Sequence, residues 1–352
     1  MNVKAASRTY EISMEPDFSF VPALLKKENA FFVVDENVLR LYQELFSGLP
    51  AERLFPVEAV EENKTVDTAL RILSRMTEIP GKRNAWLVSF GGGIVQDVTG
   101  FAASVLYRGV HWAFVPTTLL SGCDSCLGSK TSLNYDRYKN LLGTFYPPDE
   151  IYDCPLFYRT LTERDFLSGL GEVVKFNIMY GEAGLALLES SMDALLARDE
   201  ATVKAFVERS LAFKKPFVEE DEFDRGRRIL LNFGHTFGHA METASDYCIP
   251  HGTAVAMGTV MANRISLGRG LLTREAAERM EKLLLAIIPV KREELTFPTE
   301  KLVEAARKDK KNVDARLSAV LLHGSGELTV VHDLTKQEIL DAFDALKALL
   351  AD

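Results

Sequence analysis

The 352-residue sequence lacks several features that would assign it to a common class. It has only four cysteines, too few and too scattered for a disulfide framework, and no apolar run of membrane-spanning length. The first seventeen residues contain no apolar core of signal-peptide length. No long basic run is present, and 41 Lys and Arg against 50 Asp and Glu give a net charge of −9, which disfavours nucleic-acid binding. We therefore expect a soluble, cytoplasmic protein that binds neither nucleic acid nor membrane.

What the sequence does contain is a change of periodicity near its middle. Short apolar runs at 30–35, 85–90 and 113–116 are typical of buried strands, and stretches 62–76 and 94–107 have helical periodicity. Strands that alternate with helices predict a parallel sheet covered by helices. We expect an α/β domain built on such a sheet over residues 1–148.

From about Asp149 onward, apolar residues recur at helical spacing with almost no strand-like alternation. This pattern predicts an all-helical domain over residues 149–352, with at most a small strand at 319–322. The boundary falls at Pro147-Pro148-Asp149, which is incompatible with a helix. The polar segment 124–134 has little apolar periodicity and is predicted to be a loop.

A glycine run indicates where a nucleotide would bind. Gly91-Gly92-Gly93 directly follows a predicted strand and precedes a predicted helix, so the backbone can approach a diphosphate at the helix N-terminus. The run is not a GxGxxG fingerprint, and a tight turn without a ligand is the alternative. Asp35 at the end of the first strand and Thr117-Thr118 at the end of a later one favour a dinucleotide.

Three of the six histidines lie between positions 235 and 251. His235 and His239 are four residues apart and thus on one helix face, and imidazole is a common zinc ligand. Glu172 could complete a three-ligand site with an open coordination position, which is typical of catalytic zinc. The alternative is that these histidines simply pack or face solvent.

Several cations accompany these motifs in a chain of negative net charge. Lys175 stands three residues after Glu172, hence on the same helix face. Each cation alone is more typical of a solvated surface. Together they suit a substrate that carries phosphate or carboxylate; they are Lys130, Lys139, Lys175, Lys214, Arg228 and the Lys310-Lys311 pair.

With these residues in hand, the chain resembles the 3-dehydroquinate synthase family, sugar phosphate cyclases that use NAD and a divalent metal. The resemblance covers most of the chain. It implies a Rossmann-like NAD-binding domain over residues 1–148 and an all-helical metal- and substrate-binding domain over residues 149–352. It is carried by ordered blocks, which are Gly91-Gly92-Gly93-Ile94-Val95-Gln96-Asp97, Tyr107-Arg108-Gly109, Pro116-Thr117-Thr118, Asp124 with Lys130-Thr131, Lys139-Asn140, Gly171-Glu172-Val173-Val174-Lys175, Asn232 to His239, His251-Gly252 and Asp309-Lys310-Lys311.

The resemblance implies roles for individual residues. Glu172, His235 and His251 would bind zinc or cobalt, whereas spacing alone would pair His235 with His239. His239 would instead form hydrogen bonds or transfer protons beside the metal. Residues implied around NAD are Asp35, Glu61, Lys64, Gly92, Gly93, Asp97, Thr117, Thr118, Leu120 and Lys139.

The resemblance also implies the substrate contacts and the assembly. Arg108 would bind phosphate in the neighbouring subunit, which implies a homodimer. The residues implied to contact the substrate are Asp124, Lys130, Asn140, Lys175, Lys214, Arg228, Asn232, His239 and Lys311, or Lys310 in place of the last.

The implied enzyme is a carbon–oxygen lyase of the shikimate pathway of aromatic amino acid biosynthesis. It would convert 3-deoxy-D-arabino-heptulosonate 7-phosphate to 3-dehydroquinate and phosphate. The steps would be transient oxidation by NAD, phosphate elimination, re-reduction and intramolecular aldol closure.

Three positions depart from the pattern common in the family, since Ser129, Ser132 and Asn177 stand where glycines are usual. The two serines lie beside a substrate lysine and leave the sugar phosphate open, whereas Asn232 and His239 match the dehydroquinate branch. The alternatives are a cyclase acting on another sugar phosphate, such as a 2-deoxy-scyllo-inosose synthase, a metal-dependent glycerol or polyol dehydrogenase, and a binding protein without activity.

Overall fold

The computed structural model describes residues 1–78, 84–136, 138–308, 317–324 and 326–351. The chain forms two compact units. The first contains residues 1–161 and 215–223, and the second contains residues 162–214 and 224–352. No helix within the described ranges is long and apolar enough to cross a membrane.

The first unit is built on a seven-stranded sheet with the strand order β1-β2-β9-β6-β5-β3-β4. All neighbouring pairs are parallel except β1 with β2. A separate antiparallel hairpin pairs β7 with β8. The strands are β1 (Asn2–Lys4), β2 (Thr9–Met14), β3 (Ala30–Asp35), β4 (Leu54–Val57), β5 (Trp86–Gly91), β6 (His111–Pro116), β7 (Lys130–Tyr135), β8 (Tyr138–Phe145) and β9 (Glu150–Asp153), and the helices are α1 (Val21–Leu25), α2 (Glu36–Leu41), α3 (Val66–Thr77) and α4 (Gly93–Val105).

The central strands explain why a sheet forms here. All six residues of β3 are buried, and β5 is buried from Leu87 to Gly91. Continuous apolar runs of this kind are typical of parallel strands that are covered on both faces. The predicted strands and the α/β class of this unit are therefore confirmed.

The second unit is mostly helical. Its helices are α5 (Glu163–Met179), α6 (Glu182–Leu196), α7 (Glu200–Glu220), α8 (His235–Ala244), α9 (His251–Gly268), α10 (Arg274–Leu285), α11 (Thr299–Lys308) and α12 (Lys336–Leu349). The last residues of α7, from Lys215 onward, are part of the first unit. Two antiparallel strands, β10 (Leu317–His323) and β11 (Glu327–Leu334), complete the second unit.

Three expectations differ from what the structure contains. The helical half is not all-helical, because the β10–β11 hairpin extends the small strand expected at 319–322. The segment expected to be a loop forms a π-helical turn at Ser121–Ser125 followed by β7, whose polar residues pair with β8. The predicted boundary at 148/149 precedes β9, which pairs with β2 and β6 in the first unit's sheet.

Candidate metal centre and nucleotide-binding edge

Glu172 lies at the centre of the charged cluster in the second unit. Its side chain projects from α5 and is fully buried. Oε1 lies 3.3 Å from His235 Nε2 and 3.6 Å from His251 Nε2, whereas Oε2 lies 2.5 Å from Lys175 Nζ. The predicted shared helix face of Glu172 and Lys175 is therefore confirmed.

Two glycines bring Glu172 and His251 together across 79 residues of sequence. A Cβ on Gly171 would overlap the carbonyl of Gly252, and a Cβ on Gly252 would overlap the carbonyl of Ser168. The Gly252 amide also donates to Ser168 Oγ at 3.1 Å. Only glycines allow α5 and the start of α9 to approach so closely, and each glycine is adjacent to a cluster residue.

A turn presents His235 at the start of α8. Gly234 precedes the helix with a left-handed φ of 76°, which disfavours a side chain at this position. His235 Nδ1 lies 3.2 Å from the Phe233 carbonyl oxygen, so its Nδ1–H donates there and Nε2 is left to face Glu172. The backbone therefore fixes the tautomer of this histidine.

His251, the first residue of α9, is oriented by a residue that the sequence analysis missed. Its Nδ1 lies 3.1 Å from Glu242 Oε2, and its Nε2 faces Glu172. Glu242 follows His239 by three positions and His235 by seven, so the three share one face of α8. That periodicity was the available signal for Glu242.

The charges of this cluster are strongly coupled. Burial raises the pKa of Glu172, but the charge of Lys175 and the contact with His251 outweigh it and bring the pKa to about 2. Burial lowers the pKa of His251, but Glu242 and Glu172 outweigh it and raise the pKa to about 10. The carboxylate of Glu172 is thus held in its charged form, which is the form that binds a cation. The same carboxylates favour a protonated His251, so a metal that binds Nε2 must displace a proton from this ring.

The donor set fits a divalent metal. One ligand atom each from Glu172, His235 and His251 lie within 4.8 Å of one another. Glu172 Oε1 is buried and receives no hydrogen bond of regular geometry, although two imidazole nitrogens face it. Two nitrogens and one oxygen are a typical ligand set of a catalytic zinc site.

His239 is close to the Glu172 cluster but belongs to a different set of potential metal ligands. Its ring centroid lies 5.4 Å from that of His235 and 5.8 Å from that of His251. A second group of potential ligands joins His239, Glu242 and His251. The Glu172 group uses the ligands implied by the resemblance, and spacing on α8 alone would not have selected His251.

Three of the predicted substrate cations are buried, contrary to the alternative of solvated surface cations. Lys175, Lys214 and Arg228 expose only 1%, 7% and 6% of their surface. Lys175 Nζ also donates to the Leu231 carbonyl at 3.1 Å. Buried charges require compensating groups, and Lys175 has one in Glu172, whose Oε2 lies 2.5 Å from Nζ.

The carboxyl edge of the first unit's sheet brings together the residues expected around NAD. Val34 pairs with Phe90, directly before Asp35 and Gly91 in their strands, and Gly91 pairs with Pro116. A Cβ on Gly92 would lie 2.9 Å from Thr118 Cγ2, whereas a Cβ on Gly93 would have no atom within 4 Å. The N-terminus of α4 therefore has open space over Gly93 and lacks a side-chain cap.

Asp35 is the last residue of β3 and the N-cap of α2, where its Oδ1 accepts from the Asn37 amide at 2.8 Å. Burial raises its pKa. Thr118 Oγ1 lies 2.8 Å from Ser121 Oγ, which holds the start of the π-helical turn after Leu120.

A network around Asp97 joins α4 to the β7–β8 hairpin. Asp97 Oδ1 accepts from the Ser132 amide at 3.0 Å, and Oδ2 accepts from Ser132 Oγ at 2.9 Å and from Lys64 Nζ at 2.6 Å. Lys64 Nζ also donates to Asn140 Oδ1 at 2.7 Å. Burial raises the pKa of Asp97 against the opposing effects of Lys64 and Ser132.

The same network reaches two further predicted residues. Asn134 Nδ2 donates to Glu61 Oε1 at 2.8 Å, and Lys139 Nζ lies 3.4 Å from the same oxygen. Asn140 donates its amide to Asn134 Oδ1 at 2.9 Å. The fold thus gathers Glu61, Lys64, Asp97, Lys139 and Asn140, which are distant in sequence.

The other predicted residues are spread over several elements. Asp124 lies in the π-helical turn, and Lys130 is an exposed residue at the start of β7. Asn232 Nδ2 donates to the Ile229 carbonyl at 3.0 Å. Arg108 has a left-handed φ of 69° and lies three residues after the end of α4. Lys310 and Lys311 lie outside the described residues.

The three departures from the family pattern have distinct surroundings. Ser132 is part of the Asp97 network. Ser129 is buried, and its Oγ has no hydrogen-bond partner among the described residues. Asn177 Oδ1 accepts from Arg209 Nε at 2.8 Å, and Asn177 Nδ2 donates to the Val173 carbonyl.

Comparison with solved structures supports the same fold. The chain is 27% identical to a 2-epi-5-epi-valiolone synthase from Streptomyces hygroscopicus subsp. jinggangensis 5008 solved with NAD+ and Zn2+, with a TM-score of 0.86 over 96% of this chain and 97% of that one. A 2-deoxy-scyllo-inosose synthase, complexed with carbaglucose-6-phosphate, NAD+ and Co2+, is 21% identical with a TM-score of 0.82 over 99% of each chain. This second likeness shows the fold alone.

Sequence comparison identifies the family. Residues 54–168 match the domain family described as "3-dehydroquinate synthase N-terminal", and residues 169–312 match the one described as "3-dehydroquinate synthase C-terminal". A 3-dehydroquinate synthase from Dehalococcoides mccartyi (strain CBDB1) is 35% identical over 99% of both chains. One from Pseudomonas aeruginosa (strain LESB58) is 38% identical over 92% of this chain and 88% of its own. The chain therefore belongs to the 3-dehydroquinate synthase family.

Proposed function

We propose that this protein is a 3-dehydroquinate synthase. It converts 3-deoxy-D-arabino-heptulosonate 7-phosphate to 3-dehydroquinate and phosphate, with NAD and a divalent metal, in the shikimate pathway. The observation that carries the proposal is the convergence of Glu172 Oε1 with the Nε2 atoms of His235 and His251. It occurs in a chain 35% identical, over almost its whole length, to a 3-dehydroquinate synthase.

Glu172, His235 and His251 would hold the metal. When bound, the metal supplies Lewis acidity that lowers the pKa of a substrate hydroxyl. Lys175 keeps Oε2 of Glu172 engaged, so Oε1 is the oxygen that remains for the metal. Nitrogen and carboxylate ligands suit zinc or cobalt, and the two related cyclase structures contain Zn2+ and Co2+.

NAD would bind along the carboxyl edge of the first unit's sheet. When bound, NAD would supply reversible hydride transfer within one turnover. The bare N-terminus of α4 at Gly92 and Gly93 would receive the diphosphate. Asp35 would accept from a ribose hydroxyl, and the Lys64–Asp97 pair, with Glu61, Lys139, Thr117, Thr118 and Leu120, would line the remainder of the cofactor.

The chain's own cations and His239 would serve the substrate. Lys175, Lys214 and Arg228 are buried cations of the kind that suits a substrate with a phosphate and a carboxylate. His239 would move a proton beside the metal. Asp124, Lys130, Asn140, Asn232 and Lys311, or Lys310 in its place, remain predicted substrate contacts.

A homodimer and a cytoplasmic location are part of the same proposal. Tyr107 and Arg108 both have left-handed backbone conformations, and such strain persists where a residue is held for function. This suits the role of Arg108 in a neighbouring subunit. The four cysteines are present as thiols and not as disulfides, as expected in a reducing compartment.

A second candidate is a cyclase that acts on another sugar phosphate. It is favoured by the likeness to a 2-epi-5-epi-valiolone synthase and by Ser129 and Ser132 beside Lys130. A glycerol dehydrogenase resembles this chain only in fold, at 15% identity and a TM-score of 0.65.

Phosphate release by the purified enzyme distinguishes these functions. We expect release from 3-deoxy-D-arabino-heptulosonate 7-phosphate and not from glucose 6-phosphate or sedoheptulose 7-phosphate, without accumulation of NADH. Release from one of the other sugars alone would assign the second candidate. Steady NADH production with a polyol and no phosphate release would place the protein among the dehydrogenases.

A further inference from the structure

Glu242 makes a contact that the proposed metal site does not by itself explain. Its Oε2 lies 3.1 Å from His251 Nδ1, and its side chain is only 13% exposed. The opposite nitrogen of the same ring, Nε2, faces Glu172 Oε1. Glu242 therefore lies behind His251, on the side of the ring away from Glu172.

The two proposed histidine ligands are oriented by different kinds of acceptor. His235 donates its Nδ1–H to a backbone carbonyl, whose position is set by the Gly234 turn. His251 lies at the first residue of α9 and exposes 32% of its side chain, against 12% for His235. The more exposed ring is thus the one that depends on a side chain for its orientation.

We propose that Glu242 is a positioning residue that fixes His251 as the Nδ1–H tautomer with Nε2 directed at the metal. The inference rests on the metal site of the proposed function. A carboxylate that accepts from the far nitrogen of a histidine ligand orients the ring and increases its basicity, and loss of such a partner weakens metal affinity by about 10–100-fold.

The geometry disfavours Glu242 as a ligand in its own right. Glu242 also groups with His239 and His251 as potential ligands. However, the Glu242 oxygen lies beside Nδ1 of His251, so a metal bound by Glu242 and His251 would be held at Nδ1. Nε2 of His251, which faces Glu172, would then have no metal to bind. Glu172 is the fully buried carboxylate, and two imidazole nitrogens already face its Oε1.

The test is metal affinity of the full-length protein, measured by chelator competition with zinc and by the visible spectrum of the cobalt form. Glu242→Ala should keep one metal per chain but weaken affinity by about 10–100-fold. Glu242→Gln, which still accepts from Nδ1–H but lacks the charge, should lie between this variant and the unmodified protein. The cobalt spectrum should change in Glu242→Ala.

Asp246→Asn is the matched control, because it removes a negative charge four residues further on from a carboxylate that is 83% exposed and pairs with Lys301. It should leave metal affinity and the cobalt spectrum unchanged. Thermal unfolding of the metal-free variants verifies that each remains folded, and Glu242→Gln preserves the volume of the side chain should Glu242→Ala not fold.

Unchanged affinity in both Glu242 variants would overturn the inference, and so would complete loss of the metal from Glu242→Gln, since that result would make Glu242 a ligand. The same measurements distinguish failure of the proposed function from failure of this inference. If the unmodified protein binds no metal, the metal site itself is wrong. If the unmodified protein and Glu242→Ala bind the metal with equal affinity, only the role of Glu242 is wrong.

Discussion

The clusters around Glu172 and around Asp97 use a buried carboxylate in opposite ways. Both carboxylate oxygens of Asp97 accept hydrogen bonds from Ser132, and Asp97 also forms an ion pair with Lys64. Glu172 has Lys175 at Oε2, but at Oε1 it faces two imidazoles without a regular hydrogen bond. The Asp97 network is stable through its own donors, whereas the Glu172 cluster leaves one oxygen directed at a place suited to a cation.

The two clusters also differ in how the chain assembles them. The Glu172 cluster is held by backbone packing of helices at Gly171 and Gly252. The Asp97 network depends on side chains of a hairpin and a loop that meet α4. We therefore expect the Glu172 cluster to be disturbed by added side-chain volume at the two glycines. The Asp97 network should instead be disturbed by the loss of single hydrogen bonds.

The largest effect should come from removing a proposed metal ligand. His251→Ala should abolish binding of one metal per chain and reduce catalytic efficiency by several orders of magnitude. His239→Ala should retain the metal but lower kcat by about 10²–10⁴-fold, since it would remove only a proton-transfer group. Metal content measured by mass spectrometry and steady-state kinetics test the pair. Loss of the metal from His239→Ala with its retention in His251→Ala would favour the ligands chosen by helical spacing.

A smaller effect should follow from adding one methyl group at the helix crossing. Gly252→Ala places a Cβ against the Ser168 carbonyl, so the backbones must separate, and the free energy of unfolding should fall by about 1–3 kcal/mol with weaker metal binding. Gly268→Ala, at the other end of α9, has no atom within 4 Å of the added Cβ and should stabilise by up to about 1 kcal/mol. Urea unfolding measures both. Equal stabilities of the two variants would show that the crossing tolerates separation.

The smallest effect should distinguish the two serines that depart from the family pattern. Ser132→Ala removes a donor to the Asp97 carboxylate and should lower the free energy of unfolding by about 1–2 kcal/mol, with weaker NAD binding. Ser129→Ala removes a buried hydroxyl without a partner among the described residues, so stability should be unchanged or slightly higher. Urea unfolding and NAD titration provide the comparison. If Ser129→Ala lost more free energy of unfolding than Ser132→Ala, the hydroxyl of Ser129 rather than that of Ser132 would be the stabilising one.

Much of the fold follows from local sequence patterns. The strands of the parallel sheet, the glycine turn and the pairing of Glu172 with Lys175 each depend on residues close together in the chain, and local periodicity predicts them. The β7–β8 hairpin was missed because its polar residues do not alternate as a half-buried strand does. They instead form the Asp97 network, for example through Ser132.

The candidate site was less accessible to spacing arguments. Residue spacing on α8 favours His235 with His239, because helical periodicity reports only neighbours on the same helix. His251 reaches Glu172 through the crossing of α5 with α9, a tertiary contact that only the family resemblance anticipated. Glu242 does lie on the histidine face of α8, but a carboxylate at helical spacing is usually a solvated residue, so the pattern alone gave it no role.

The glycine crossing constrains how this sequence can change in evolution. At Gly171 and Gly252 an added Cβ would meet backbone atoms, which no substitution of a neighbouring side chain can remove. The constraint is therefore mutual, because a larger residue at one position has no compensating replacement at the other. A lineage that abandoned the metal could vary Glu172 and His251 freely, yet both glycines would have to persist as long as the helices cross here.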